Sequence, residues 1–196
     1  NLLTLGSGSV RRDGEIVGIA VAVEGWSGYF PIAHEGGGNM DRAIVLDWFE
    51  EVLHTEATKI FHNAMYDVSW IRSLGFYING GIIDTMIAAS LIDENRYSYT
   101  LDSVAKQYIQ VGKSEKLLQE AAKDWGVNPK AEMWRLPAPF VGEYAEKDAE
   151  ITLKLWGALR HEISKQDLWD VFNLETNLFP CLVDMKFKGV RVDLEV

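Results

Sequence analysis

The sequence predicts an α/β fold in which a mixed sheet is flanked by helices. An Ile- and Val-rich stretch up to about residue 34 has the pattern of strands, short strand-like runs then alternate with helical patterns, and helical patterns dominate from residue 84 onward. The order β-β-β-α-β-α-β-α is typical of mixed-sheet proteins. With 196 residues, 47% of them hydrophobic, the chain is long enough to bury one sizeable core.

The predicted strands are short and lie in the first half of the chain. Residues 15–24 form a nearly continuous apolar run after the turn signal Asp13-Gly14, and residues 29–33 follow as a second strand. Pro31 suggests that this second strand lies at an edge of the sheet or ends there. Two further strands are predicted at residues 59–62 and 82–83.

Helix signals occupy the segments between and after these strands. Asn39 or Asp41 caps a first predicted helix, and Gly75 closes a second one that begins near residue 64. The remaining predicted helices run over residues 84–92, from Thr100 or Asp102, from the Ser114 cap to about Gly126, and from Pro137 and Pro139 to about Ser164.

The last thirty residues differ from the rest. Residues 167–188 are helical in pattern but contain Pro180, so a kink or a break is expected there. Gly189 stops the helix, and residues 190–193 resemble the start of a strand. We therefore predict two units: a domain over residues 1–165 and the opening of a second domain over residues 166–196.

Composition limits the function classes. Cys181 is the only cysteine, which excludes an internal disulfide and a Cys-based zinc site and fits a reducing compartment. No apolar run approaches the ~20 residues needed to span a bilayer, and the first residues lack the features of a signal peptide. A cytoplasmic protein without a membrane partner is expected. The net charge of −10 disfavours tight autonomous DNA binding, although cations bound to clustered carboxylates reverse the local field.

Two segments combine carboxylates with other polar side chains. The segment His62-Asn63-Ala64-Met65-Tyr66-Asp67 falls where a predicted strand passes into a helix, and Tyr144-Ala145-Glu146-Lys147-Asp148 lies in the long helix. Tyr144 and Asp148 are four residues apart and share one helix face, which continues as an apolar stripe. Phosphodiester hydrolysis by two metal ions uses such carboxylates, and hard cations such as Mg²⁺ prefer oxygen ligands. A tyrosine beside the site can orient the attacking water.

These segments resemble the motifs of a known family. Asn63-x-x-x-Asp67 and Tyr144-x-x-x-Asp148 are similar to the second and third motifs of the DEDD exonucleases that carry tyrosine in the third motif. The resemblance extends to the proofreading domain of family A DNA polymerases, in particular the phage-type branch. The other matching segments are residues 84–86, 99–105 and 174–193, together with His34-Glu35-Gly36-Gly37-Gly38-Asn39 and Met133-Trp134-Arg135-Leu136-Pro137-Ala138.

The resemblance implies a ribonuclease-H-like (DnaQ-like) fold, two divalent metal ions (Mg²⁺ or Mn²⁺) and removal of nucleotides from DNA 3′ ends. By the same resemblance, Asp67 and Asp148 are metal ligands, and Tyr144 orients the attacking water. Asn63 and Tyr66 are expected to contact the single-stranded 3′ end. The implied partner is a polymerase domain further along the same chain, in the host cytoplasm if a phage encodes the protein.

The family's first motif, an Asp-x-Glu pair on the first strand, has no counterpart at the expected place. Asp13-Gly14-Glu15 has the right spacing but falls in a predicted hairpin turn. We therefore expect that the first strand of the sheet is missing from the sequence. The 196-residue chain would then lack two of four metal ligands and be inactive by itself.

Other interpretations remain open at this stage. The chain could be an inactive ribonuclease-H-like module with a structural or docking role, or an RNA exonuclease similar to ribonuclease D. Asp84 is expected to be a helix cap rather than a ligand. His34, His54 and His161 lack metal-ligand spacing, so we predict surface or capping positions for them.

Overall fold

The computed structural model describes residues 1–5, 13–112 and 115–193. The strands are β1 (Leu2–Leu5), β2 (Glu15–Val23), β3 (Trp26–Pro31), β4 (Lys59–Phe61) and β5 (Ile82–Asp84). The helices are α1 (Arg42–His54), α2 (Ala64–Ser73), α3 (Thr85–Ile92), α4 (Leu101–Tyr108), α5 (Lys116–Trp125), α6 (Ala138–Lys165) and α7 (Trp169–Lys188), with a 3₁₀ helix at Met133–Arg135. These elements confirm the α/β class. The predicted Ser114 cap lies outside the described residues.

The strands form two sheets. β1, β2 and β3 make an antiparallel meander, in which Leu2 lies opposite Ile19 and Val23 lies opposite Trp26. β4 and β5 are parallel, with Lys59 opposite Ile82. Within the described ranges no strand pairing joins the two sheets. β2 lies between β1 and β3, but residues 21–23 of β2 extend past the pairing with β1 and, like β4, border the space between the sheets.

Local signals explain where the helices begin and end. The Asp41 side chain accepts hydrogen bonds from the amides of Ala43 and Ile44, which confirms the predicted cap of α1. That helix buries Val45, Phe49 and Leu53, three residues at the spacing of one helix face. α5 ends at Gly126, whose φ of 64° lies in the left-handed region that favours glycine.

The core is organised around α6, the longest helix. Its first half packs on β2 and β3, and its second half packs on α3 and α4. Ile151, Leu155, Leu159 and Ile163 recur on one face and are fully buried. Although α6 has 28 residues, no helix in the described part of the chain is apolar enough over a sufficient length to cross a bilayer.

α7 runs without interruption through Pro180, so the helix is not broken there, and the kink that was the alternative stays a prediction. Proline removes one intrahelical hydrogen bond, but Phe179 and Val183 are buried against the core beside it. Tertiary packing therefore outweighs the local preference.

Residues 190–193 form no strand. The boundary predicted at residue 165 falls at the end of α6 and stays a prediction.

Candidate active site

Asn63 makes the turn from β4 into α2 in the left-handed backbone conformation, with φ 62° and ψ 56°. Asparagine tolerates this conformation better than most side chains. The first amides of a helix have no carbonyl partner inside the helix. Here the Asp84 carboxylate supplies the partner, because Oδ1 accepts from the Asn63 amide at 2.9 Å and Oδ2 from the Ala64 amide at 2.8 Å.

The buried Asp84 carboxylate serves two helices. Its Oδ1 also accepts from the Met86 amide at 2.9 Å, which confirms the predicted cap of α3. Sequence analysis missed its contact with the start of α2. The signal was the strand order: β4 and β5 are adjacent and parallel, so their carboxyl ends meet at one edge of the sheet.

Asp67 lies one turn into α2, and only 4% of its surface is exposed. Its Oδ1 accepts a hydrogen bond of 2.6 Å from the Leu2 amide in β1. Burial raises the pKa of Asp67; the hydrogen bond from the Leu2 amide opposes the rise, and the Asp84 carboxylate adds to it. A buried carboxylate next to another one favours a bound cation or a proton.

Asn63 and Tyr66, the predicted substrate-contacting residues, are both exposed beside Asp67. The Tyr66 hydroxyl forms a hydrogen bond with the Thr4 hydroxyl, and its ring meets Trp70 edge to face at 6.5 Å. Asn63 lies at the wall of the larger cavity described below. Both side chains are accessible to a ligand, and their contact with a nucleotide stays a prediction.

Asp148 reaches the same region from α6. It is buried, and Tyr144 lies half-buried one helical turn before it. Both line a cavity of about 130 Å³ together with Leu2 and Met133. The predicted common face of Tyr144 and Asp148 is therefore present, and it faces the N-terminal strand.

A cavity of about 840 Å³ has both Asp67 and Asp148 in its walls. On one side it is bounded by residues 19–24 of β2 and the turn that follows, and on the other by residues 57–63, which include β4. The two carboxylates thus meet one space although they belong to different helices. This space is the gap between the two sheets.

His34 fixes the segment that leads into α6. The Leu136 carbonyl can only accept, so His34 Nδ1 donates to it at 2.8 Å, and Nε2 accepts from the Tyr29 hydroxyl at 2.6 Å. Burial lowers the pKa of His34 and raises the pKa of the Tyr29 phenol, which keeps both groups neutral. The predicted surface or capping position of His34 is wrong, because only 3% of the residue is exposed.

Residues 34–39, which contain three glycines, and residues 133–138, which contain a proline, contact each other here. The Glu35 amide donates to the Trp134 carbonyl at 2.9 Å, and the Ala138 amide donates to the Gly37 carbonyl at 3.0 Å. A Cβ atom at Gly36 would lie 2.4 Å from the Pro137 nitrogen, so glycine allows this approach of the two backbones. The end of β3 therefore determines where α6, with Tyr144 and Asp148, begins.

The Asp13 and Glu15 side chains are exposed at the start of β2, away from the cavity walls. Among the residues described in the structure, no group of three or more His, Cys, Asp or Glu side chains is arranged to hold a metal ion. Asp67 and Asp148 provide the oxygen donors that Mg²⁺ and Mn²⁺ prefer. As a donor set for two ions, this pair is incomplete.

The fold is similar to that of solved nucleases. Brucella melitensis NrnC with bound Mg²⁺ superimposes with a TM-score of 0.69 at 18% identity, over all of this chain and 88% of that one. A structure described as the POL domain of Pol1 from M. smegmatis with DNA primer-template and dNTP gives a TM-score of 0.65 at 20% identity, over 97% of this chain and 29% of that one. The chain has the ribonuclease-H-like α/β fold of exonucleases.

The sequence comparisons give the family. The 3′–5′ exonuclease model of family A DNA polymerases matches residues 9–164, and the chain belongs to this family. A DNA-directed DNA polymerase of Pseudomonas phage M6 is 40% identical over 205 aligned positions, which cover all of this chain and 30% of that polymerase. The chain thus spans about a third of the length of the curated relatives it matches.

Proposed function

We propose that this chain is the proofreading module of a DNA polymerase and removes nucleotides one at a time from the 3′ end of single-stranded DNA. The observation that carries the proposal is that two buried aspartates from different helices, Asp67 and Asp148, line one cavity, with Tyr144 one turn before the second. Family membership supports the reaction type.

Each residue has a role in this proposal. Asp67 and Asp148 would hold Mg²⁺ or Mn²⁺, and two such ions, when bound, supply the activation of water and the stabilisation of the leaving oxygen. The Tyr144 hydroxyl orients the attacking water. Asn63, in the wall of the larger cavity, and the exposed Tyr66 contact the terminal nucleotides.

We propose further that an extended strand occupies the 840 Å³ cavity between β2 and β4 in the active enzyme. Residues 21–23 of β2 extend past the pairing with β1, and β4 is paired on one side by β5, so a strand placed between them would join the two sheets into one. A strand with the Asp-x-Glu pair of the family's first motif would bring two more carboxylates to Asp67 and Asp148. The 196-residue chain, which lacks such a pair in the cavity walls, is then inactive by itself.

The negative net charge of the chain favours a DNA substrate that a second part of the protein also binds. The chain carries a net charge of −10, whereas a surface that binds DNA phosphates alone is rich in Lys and Arg. The polymerase part of the same polypeptide would hold the duplex in the cytoplasm, which is that of the host if a phage encodes the protein. The preference for DNA over RNA comes from the family.

The test uses 5′-labelled single strands of DNA and of RNA, with Mg²⁺ or Mn²⁺. The substrates are digested by the 196-residue chain and by a version extended upstream to include the Asp-x-Glu pair. We expect only the extended version to shorten DNA from its 3′ end, and Asp148→Ala to abolish that activity. Asp170→Ala, at an exposed position in the first turn of α7, is the matched control and keeps the activity.

Other results identify the alternatives. A folded, inert extended version indicates a structural module, and an enzyme that digests the RNA far faster than the DNA indicates a ribonuclease D-like activity. Full activity of Asp148→Ala would remove Asp148 from the reaction. A chain that is already active without the extension contradicts the proposed strand.

A further inference from the structure

β1 is attached to the first turn of α2 through the edge that β2 leaves open. The Ala20 amide of β2 donates to the Asn1 carbonyl at 2.9 Å. In an antiparallel pair, successive residues turn their backbone groups alternately toward the partner strand and away from it, so the Leu2 amide points away from β2. There it donates to the Asp67 carboxylate at 2.6 Å.

Thr4 makes a second attachment to the same turn. Side chains two residues apart in a strand share one face, so Thr4 lies on the side of β1 where Leu2 packs into the core with α1 and α2. The Thr4 hydroxyl forms a hydrogen bond with the Tyr66 hydroxyl, in the residue before Asp67. β1 therefore contacts both an expected metal ligand and an expected substrate-contacting residue.

An irregularity in the sheet fixes the strand at this position. The pairing of β1 with β2 shifts between Leu3 and Thr4, because Val17 of β2 has no counterpart in β1. The Val17 carbonyl accepts from the amides of residues 32 and 33 at 2.8 and 3.0 Å, which hold this bulge in place. Bulges increase the local twist and re-aim side chains, often beside active sites. The fold around β2 thus determines the direction of the Thr4 side chain.

The Tyr66 side chain is held at two points. Its hydroxyl is bonded to Thr4, and its ring meets Trp70, which is only 3% exposed, edge to face at 6.5 Å. Tyr66 is itself 42% exposed. Because the hydroxyl is engaged, the ring is the part of Tyr66 that is offered to a ligand. Aromatic rings stack on the bases of single strands with little sequence preference.

We propose that Thr4 is a positioning residue, whose hydroxyl holds the Tyr66 ring in the orientation that stacks on the end of a single strand. This inference rests on the proposed function, in which Tyr66 contacts the terminal nucleotides. Thr4 acts through Tyr66 and does not touch the substrate. A ring that is ordered in advance loses less conformational freedom on binding. The contact is the same before and during the reaction, so its loss raises KM and leaves kcat unchanged.

The test uses the version extended upstream to include the Asp-x-Glu pair. Fluorescence anisotropy measures the Kd of a labelled DNA single strand with Ca²⁺ in place of Mg²⁺, over an incubation that leaves the strand intact; digestion with Mg²⁺ measures kcat and KM. We expect Thr4→Val to raise Kd and KM about threefold to tenfold, the effect of one hydrogen bond. Thr4→Ser keeps the hydroxyl and should behave as the wild type.

Tyr66→Phe removes the other hydroxyl and keeps the ring. If Thr4 acts through Tyr66, the double variant Thr4→Val, Tyr66→Phe binds no more weakly than either single variant. The controls lose the same atoms outside both cavity walls, in Thr176→Val and Tyr77→Phe, and should bind as the wild type. Because the Thr4–Tyr66 bond is exposed, its loss should leave the urea midpoint unchanged, whereas a merely structural bond would shift the midpoint and not Kd.

An unchanged Kd for Thr4→Val would overturn the positioning role, as would losses that add up in the double variant or a fall in kcat alone. Binding and digestion together separate the two proposals. Digestion with no response to Thr4→Val contradicts the role of Thr4 alone. Binding that weakens in Thr4→Val without any digestion contradicts the proposed function and leaves the role of Thr4 standing. A folded protein that neither binds nor digests the strand contradicts both.

Discussion

The starts of α2 and α6 bring the two aspartates to the cavity in different ways. At α2, the Asp84 carboxylate binds the helix amides directly, and Asp67 follows only one turn later. At α6, His34 and the backbone near Gly36 hold the segment before the helix, and Asp148 is ten residues beyond the helix start.

The start of α2 is therefore held by one buried carboxylate, whereas the start of α6 is held by several hydrogen bonds together with a close approach of two backbones. Asp67 depends on a few buried hydrogen bonds close to it, so their loss acts on its position at once. Asp148 lies within a long helix whose inner face is packed along its length. A local change at the start of this helix therefore moves Asp148 less, because many other contacts hold the helix. We therefore expect the α2 start to be the more sensitive of the two.

Asp84→Ala should cause the largest loss of stability. It leaves the amides of Asn63, Ala64 and Met86 without their acceptor, and an unsatisfied buried amide costs about 1–3 kcal/mol. Relief of repulsion with Asp67 offsets part of this, so we expect the free energy of unfolding to fall by about 3 kcal/mol. Urea unfolding followed by circular dichroism measures the change.

Asp41→Ala is the matched control for that variant, since Asp41 caps α1 through two amides but is exposed. Its expected cost is about 1 kcal/mol. Equal losses for the two variants would show that the Asp84 contacts contribute no more than an ordinary surface cap.

Gly36→Ala should have an intermediate effect. The new Cβ atom would lie 2.4 Å from the Pro137 nitrogen, and a backbone atom cannot move aside as a flexible side chain does. Overpacking of this kind costs about 1–3 kcal/mol, and we expect the middle of that range in the same unfolding experiment.

Gly157→Ala tests the sign of that expectation. Apart from the backbone of α6 itself and the adjacent residues, no atom of the described chain lies within 4 Å of a Cβ placed there, so the substitution should stabilise the chain by about 0.5–1 kcal/mol. Stabilisation by Gly36→Ala as well would mean that the two backbones do not constrain each other.

The smallest effect is expected from a substitution of His34, which should change how stability depends on pH. Its folded pKa lies below the ordinary value of 6.5 because of burial, so the folded state binds fewer protons than the unfolded state. The contribution of neutral His34 to stability is complete above pH 6.5 and is lost as the pH falls through the folded pKa. His34→Gln should therefore flatten the decline in urea midpoint between pH 7.5 and acidic pH.

His54→Gln, at an exposed position at the end of α1, is the control and should keep the pH dependence of the wild type. If both variants follow the wild type, protonation of His34 does not determine acid stability.

Elements with strong local signals were predicted well from the sequence. The Asp41 cap, the Gly126 stop and the common face of Tyr144 and Asp148 all depend on residues close together in the chain. The second role of Asp84 was missed because it depends on β5 lying beside β4, which no local pattern encodes. His34 was misjudged for the same reason, since its partner Leu136 is 102 residues away.

Of the kink or break predicted at Pro180, the break is absent for an energetic reason. One lost hydrogen bond was weighed from the sequence, but the burial of Phe179 and Val183 was not visible there. The roles of the predicted site residues remain predictions, because they concern ligands rather than the folded chain: Asn63, Tyr66, Asp67, Tyr144 and Asp148.

α6 contributes buried side chains to three separate apolar clusters, through Val141, through Ala145 and Ala149, and through the face from Ile151 to Ile163. Because α6 is one continuous helix, its unfolding would remove side chains from all three clusters at once. Heat or denaturant should therefore melt them together, in a single transition without a stable half-folded species. A protease that cut inside α6 would have to wait for that global opening, so resistance of this helix to cleavage reports the integrity of the whole module.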